Sequence, residues 1–297
     1  SMFWDCDSLT TAPELPATTL ATYCYCDMFV GCYGLTEIPE LPATTLASNC
    51  YSGMLYGCTS LTTAPVLSAT TLANQCYGSM FGGCRSLTIA PELPATTLAT
   101  ECYYGMFYNC TGLTTAPELP ATTLANSCYQ SMFQGCTSLV TAPVLPATTL
   151  ATYCYQNMFF NCNSLTTTPE LLATTLVEGC YSNMFASCTS LTTAPELPAT
   201  TLANYCYQNL FYNCTSLRKL VIEEGVKTIG ANAFEGCSKL NDITIPEGVT
   251  SIDINAFQGC SRITEISLPS SLINLGGSVF YGCSSLASIV IPDKITS

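Results

Sequence analysis

Cysteines recur through this chain at a fixed interval. Cys6, Cys32, Cys58, Cys84, Cys110, Cys136, Cys162, Cys188 and Cys214 each stand 26 residues from the next, and Cys237, Cys260 and Cys283 continue the series at steps of 23. A period in the twenties held over so many marks is the signature of a solenoid, in which each repeat makes one coil and buries its apolar side chains only against its neighbours. The 297 residues therefore predict one elongated array rather than two compact domains. With a rise of about 5 Å per coil, roughly twelve coils extend to about 55–60 Å. Function becomes a matter of what the surface of that array displays.

Two repeat lengths divide the array. Eight units of 26 residues occupy 1–213, and three of 23 residues plus a partial one occupy 214–297, continuous with the first set. In the short units Leu240, Ile243 and Ile245 alternate as a brief strand that Pro246 stops, and Ala256-Phe257 open a helical turn reaching Cys260. In the long units a proline recurs at Pro13, Pro39, Pro65, Pro91, Pro117, Pro143, Pro169 and Pro195, where it removes a backbone donor from any parallel ladder. Strands there are expected to span three or four residues. The expected fold is an α/β repeat solenoid: a right-handed superhelix on the leucine-rich-repeat plan, with short parallel strands and short helices or 3-10 turns.

The phrase Ile245-Pro-Glu-Gly-Val-Thr-Ser-Ile252, followed by Ala256-Phe-Gln-Gly-Cys260, resembles the BspA-like, or Treponema-type, leucine-rich repeat of bacterial surface proteins. The long units keep the Met-Phe…Cys-x-x-Leu frame and depart from it by three residues and the Pro-Ala-Thr-Thr-Leu phrase. The resemblance implies a cell-surface or secreted protein that adheres to other macromolecules and has no catalytic activity in its repeats. It carries no defined set of binding residues.

Charge is scarce and lopsided. Seven Lys plus Arg stand against twenty Asp plus Glu, a net charge of −13. Up to Leu217, Arg85 is the only base against twelve acids, so nearly all of the imbalance lies in the long units. Such a surface repels phosphate backbones and anionic headgroups, which excludes nucleic acid as a partner and polybasic docking on membranes. No apolar run reaches the eighteen or so residues of a spanning helix, so no direct membrane insertion is expected in this segment. No signal peptide is present either, and because Met2-Phe3 and Cys6 fall inside a repeat the chain reads as a piece of a longer protein.

Twenty-one cysteines raise the question of disulfides or zinc. A second ladder, Cys24, Cys50, Cys76, Cys102, Cys128, Cys154, Cys180 and Cys206, lies eight residues ahead of the first, and the short units place Ile229, Ile252 and Leu275 at that register. A slot filled by Cys, Ile or Leu is a packing slot. Side chains stacked on adjacent coils also keep their Cβ atoms near 5 Å apart, wider than the ~3.8 Å of a relaxed disulfide. Buried free thiols are the expectation, and no cofactor or metal is assigned. Cys26 stands outside both ladders, at a register that elsewhere holds Ser, Gly, Tyr or Gln, and is expected to be an exposed thiol.

Three repeated rows are candidates for a binding surface. Tyr25, Tyr51, Tyr77, Tyr103, Tyr129, Tyr155, Tyr181 and Tyr207 follow the second cysteine ladder without a break. Exposed, they would stack on sugars or pack on a protein; buried, they would cover the three extra residues of their own coil. Glu14, Glu40, Glu92, Glu118, Glu170 and Glu196 share one register, with Val66 and Val144 in the remaining two units. A single carboxylate row offers too few oxygens for calcium, and a solvated face fits it better. Thr-Thr pairs such as Thr18-Thr19 and Thr122-Thr123 add rows of hydroxyls, either sugar-binding or simply solubilising.

With no histidine and no Gly-rich phosphate loop, and with carboxylates in rows rather than contrasting pairs, the chain reads as no enzyme. The sequence reading is an adhesion and protein-binding solenoid that engages host or neighbouring-cell macromolecules. Its alternatives are a carbohydrate-binding module using the Tyr and Thr rows, and a spacer stalk with no ligand of its own.

Overall fold

The protein is described here by a computed structural model covering residues 2–199 and 203–295. Successive coils bond to one another along three registers. The first lies five residues after each ladder cysteine, where parallel bridges join Thr11 to Glu37, Ile89 to Thr115, Thr141 to Thr167 and Thr193 to Lys219. The second lies thirteen residues after it, joining Thr19 to Thr45, Thr45 to Thr71 and Thr97 to Thr123.

In the long units these contacts stay single bridges rather than the expected strands of three or four residues, because a proline follows the first register by two residues and ends the ladder. The short units, freed of that proline, widen both registers into strands. These are β1 (Lys219–Val221), β2 (Thr228–Ile229), β3 (Asp242–Thr244), β4 (Ser251–Ile252) and β5 (Asn274–Leu275). β1 pairs with β3, and β2, β4 and β5 form a three-stranded sheet, all parallel, with equivalent residues of neighbouring coils opposite one another, as in Leu220 with Ile243 and Ile229 with Ile252.

The third register corrects the sequence reading. No helix occurs among the described residues; the segment running into each ladder cysteine is a ribbon of consecutive turns. Its amide groups alternate in direction. Cys24, Cys26, Met28 and Cys32 donate back three residues within their own coil, whereas Tyr23, Tyr25, Asp27, Phe29 and Gly31 donate to Ser48, Cys50, Ser52, Met54 and Tyr56 of the next coil, at 2.8–3.2 Å. A helix would close all of these bonds within itself. Here every second amide stitches coil to coil, so the ribbon serves the purpose of a sheet edge without extended backbone.

Left-handed residues at every fourth position make this possible. In the first long coil they are Tyr23 (φ 60°), Asp27 (φ 53°) and Gly31 (φ 73°), and the registers of Asp27 and Gly31 are filled along the array by Gly, Asn, Asp and Ser. Gly, Asn and Asp are the types that tolerate αL at least cost.

Inside the coils, like side chains stack on like. The Phe row begins with Phe3 and Phe29, is interrupted by Leu55, and resumes from Phe81 to Phe280 with ring centroids 5.4–5.9 Å apart between near-parallel rings. Leucines three residues after each ladder cysteine, such as Leu35, Leu61, Leu87 and Leu113, are fully buried beside it. Both cysteine ladders turn inward and carry free thiols. Cys24 is the departure from that rule, being exposed, and Cys6 is half-buried; both belong to the first coil, which this chain covers from one side only.

From Cys32 onward, each first-ladder thiol also has a polar partner. Cys84 donates to the carbonyl oxygen of Leu55 at 3.2 Å, Cys110 to that of Phe81 at 2.9 Å and Cys136 to that of Phe107 at 3.1 Å. The pattern continues to Cys283 and Phe257.

Candidate functional site

The tyrosine row is core. Tyr51, Tyr77, Tyr103, Tyr129, Tyr155, Tyr181 and Tyr207 are buried, and Tyr25 on the first coil is half-buried. Their rings stack from coil to coil at 5.8–6.2 Å. Burial raises the phenol pKa along the row, and the hydroxyls of Tyr51, Tyr155 and Tyr207 are enclosed without a hydrogen-bond partner. Rings sealed between coils cannot stack on a sugar or on a protein, so Tyr51, Tyr77, Tyr103, Tyr129, Tyr155, Tyr181 and Tyr207 are core rather than a binding surface, and half-buried Tyr25 is the end of the same stack, 5.8 Å from Tyr51. The physical reason is volume: a long coil encloses more space than a short one, and the ring fills it. Where the repeat shortens, Gly230 takes the slot and packs on the Tyr207 backbone.

The glutamate row is surface. Glu14, Glu40, Glu92, Glu118, Glu170 and Glu196 are all exposed, as are Val66 (70 %) and Val144 (77 %) in the same register. The row therefore alternates two carboxylates with one isopropyl group. Prolines line it, and between the coils of Glu118 and Val144 the side chains of Pro117, Leu119, Pro120, Pro143 and Pro146 form a shallow cleft. Among the described residues no group of three Cys, Asp or Glu side chains is arranged to hold a metal ion. Beside this stripe the described threonines of the Thr-Thr pairs are exposed, and one of each pair occupies the second bridge register.

Cys26 is half-buried rather than exposed. Its thiol donates to the Asp27 carboxylate at 3.4 Å, and burial together with that carboxylate pushes its pKa up to about 11. The open thiol of this region is Cys24 instead.

The face of the turn ribbon carries tyrosines outside the buried row. Tyr56, Tyr104 and Tyr108 border a groove there with Ser79, Gln130, Gln134 and Asn157. A signal was available: these tyrosines stand two and six residues before a ladder cysteine, at registers whose occupants change from unit to unit, whereas core registers hardly change. A second hollow lies at the step from long to short units, lined by Asn204, Tyr205, Gln208, Thr228 and Asp253.

A family model described as the BspA type leucine rich repeat region matches residues 1–140, 78–192 and 204–297. Among solved structures, the chain is similar to a leucine-rich repeat protein from Bacteroides ovatus, with 19% identity, a TM-score of 0.62, and coverage of 98% of this chain and 81% of that one. It also matches a leucine rich cell surface protein from Faecalibacterium prausnitzii at 23% identity and a TM-score of 0.48, over 86% of this chain and 78% of that one. No curated protein matches. The family's repeat and the stacked coils seen here account for the same residues, from the ladder cysteines to the Ile-Pro-Glu-Gly-Val phrases, and the chain belongs to the BspA-type leucine-rich repeat family.

Proposed function

We propose that this array is a non-enzymatic adhesion module, borne at a cell surface or secreted, that binds proteins through its repeated glutamate face. The observation that carries the reading is the exposed row of Glu14, Glu40, Glu92, Glu118, Glu170 and Glu196, interrupted by exposed Val66 and Val144 and bordered by proline. An acidic stripe with apolar points at fixed intervals complements a basic protein surface carrying apolar side chains of its own. Each contact is weak alone, since exposed ion pairs contribute about 0–1 kcal/mol. Several in register on one rigid body act together, and the gain is one of effective concentration. The net charge of −13 favours basic partners over acidic ones at long range. Membership of the BspA-type family supports the surface location and the absence of chemistry in the repeats.

The test is binding of the intact chain to immobilised basic extracellular-matrix proteins. Binding is expected to weaken steeply with salt and to fall about tenfold in the combined variant Glu92→Gln, Glu118→Gln, Glu170→Gln. Salt-independent binding, or full binding by that variant, removes the glutamate face from the interaction. A spacer with no ligand of its own would bind none of the panel.

A further inference from the structure

Registers of the eight long units differ in how far their occupants vary. The paired threonines are Thr in every unit and the acidic register is only ever Glu or Val, although the described residues at both are exposed. On the turn ribbon the register two residues before the ladder cysteine holds Val, Tyr, Gly, Gln, Phe and Ala in different units. Six residues before it stand Cys, Ser, Gly, Tyr and Gln. Most occupants of these two registers are half-buried or buried, as Gly82, Ala186 and Ser182 are, but where tyrosine stands, at Tyr56, Tyr104 and Tyr212, the ring reaches the surface.

One stretch of that face is a formed site. Tyr56, Tyr104, Tyr108, Ser79, Gln130 and Gln134 surround a groove of about 400 Å³, within the range of ligand clefts. Tyr56 and Tyr104 are each 39 % exposed, so each ring is anchored by one part and open by another. The Tyr56 ring lies so close over Gly82 of the next coil that a Cβ there would meet its Cδ2 and Cε2 at 2.6 Å. Glycine at position 82 thus leaves the room that this edge of the ring occupies. Gln130 donates to Gln156 at 2.8 Å, which orients its amide beside the rings. Among the lining residues there is no charge at all, in a chain with twenty acids.

We propose that this ribbon groove binds a neutral oligosaccharide. Fixed aromatic faces take the apolar C–H faces of sugar rings, and amide and hydroxyl groups exchange hydrogen bonds with sugar hydroxyls. A groove without cations, on a chain of net charge −13, disfavours sialylated or sulfated glycans. The tyrosines concerned are not those of the buried row, and the site is separate from the glutamate face, so either can fail without the other.

The intact protein is titrated by calorimetry with neutral gluco-, manno-, galacto- and N-acetylglucosamine-based oligosaccharides, with a sialylated oligosaccharide for comparison. Saturable binding of at least one neutral probe is expected, weakened about tenfold by Tyr56→Ala and again by Tyr108→Ala, with the melting temperature little changed. Gln134→Leu, which removes an amide without touching a ring, is expected to weaken the same probe, and the Glu92, Glu118, Glu170 variant to leave it unchanged. The proposal is overturned if no neutral probe saturates, if the sialylated probe binds better, or if neither the tyrosine nor the Gln134 variants alter binding. Matrix-protein binding in the same samples reports separately on the glutamate face.

Discussion

The thiol of Cys58 donates a hydrogen bond to the carbonyl oxygen of Phe29 at 3.2 Å, and the same oxygen accepts the amide of Cys32 at 3.1 Å. One buried carbonyl is thus satisfied twice, once by its own coil and once by the next. This relationship separates the two cysteine ladders. The first uses sulfur as a donor between coils, whereas the second occupies a register that Ile229 and Ile252 fill equally well.

The two ladders should therefore respond differently to an apolar replacement. Cys102→Val is expected to change unfolding free energy by less than about 1.5 kcal/mol, as volume-conserving apolar exchanges do. Cys110→Val also removes the 2.9 Å bond to Phe81 and leaves that oxygen with the Cys84 amide alone, which adds about 0.5–1.5 kcal/mol to the cost of the exchange. Urea denaturation of the two variants checks this, and equal costs would show that the thiol bond contributes nothing.

Alkaline pH should unfold the array before it damages the chain. Burial pushes Cys76, Cys110 and Cys128 up to about 12 from an ordinary 9.0. Between those values the unfolded thiol has lost its proton and the folded one has kept it, so stability is intact below pH 9 and falls as pH rises towards 12. Each such thiol removes about 1.4 kcal/mol per pH unit over that window. Circular dichroism from pH 8 to 12 should show cooperative loss of structure beginning above about pH 9, shifted to higher pH when several of these cysteines are replaced by valine at the second ladder.

Thiol labelling should follow the geometry of the first coil. In native protein near pH 8, Cys24 should react with a maleimide first. Cys26 should follow more slowly, held by the Asp27 carboxylate and a pKa of about 11. The buried ladders should stay unlabelled until denaturant is added. Mass mapping of the labelled peptides decides it, and faster labelling at Cys26 than at Cys24 would contradict the half-buried, Asp27-bonded position.

Removing one hydroxyl should do no harm. The Tyr155 hydroxyl is buried without a partner, so Tyr155→Phe is expected to be neutral or to stabilise by up to about 1 kcal/mol. Tyr155→Ala, which empties the same slot between Tyr129 and Tyr181, is expected to cost about 3–5 kcal/mol. Thermal unfolding of both variants provides the comparison, and a destabilising Phe would mean that the hydroxyl has a partner, such as water, inside the coil.

The helix expected at Ala256-Phe257-Gln-Gly-Cys260 shows how the sequence misleads. Apolar pairs such as Cys24-Tyr25 and Met28-Phe29, with Cys32 closing the series, recur every four residues, a spacing close to one helical face. The turn ribbon has the same spacing because each of its turns also takes four residues. What tells the two apart is the residue between the pairs. Asp27 and Gly31, Gly53 and Gly57, and Gly105 and Asn109 sit at positions that a helix would give to any good helix former. Their left-handed backbone is legible as a periodicity of Gly, Asn, Asp and Ser, once that is looked for.

By itself the sequence determined that the chain stacks in register. A fixed period forces equivalent residues of successive coils together, which stacks Cys32 on Cys58 and lines the glutamates up in one row. Which way a stacked row faces was decided only by the tertiary structure. Tyr51 and Tyr56 are five residues apart and both aromatic, yet one is sealed in the core and the other lies on the surface over Gly82. That difference depends on the volume a whole coil encloses and on the direction in which each left-handed turn points its side chains, and neither quantity is a property of any short stretch of sequence.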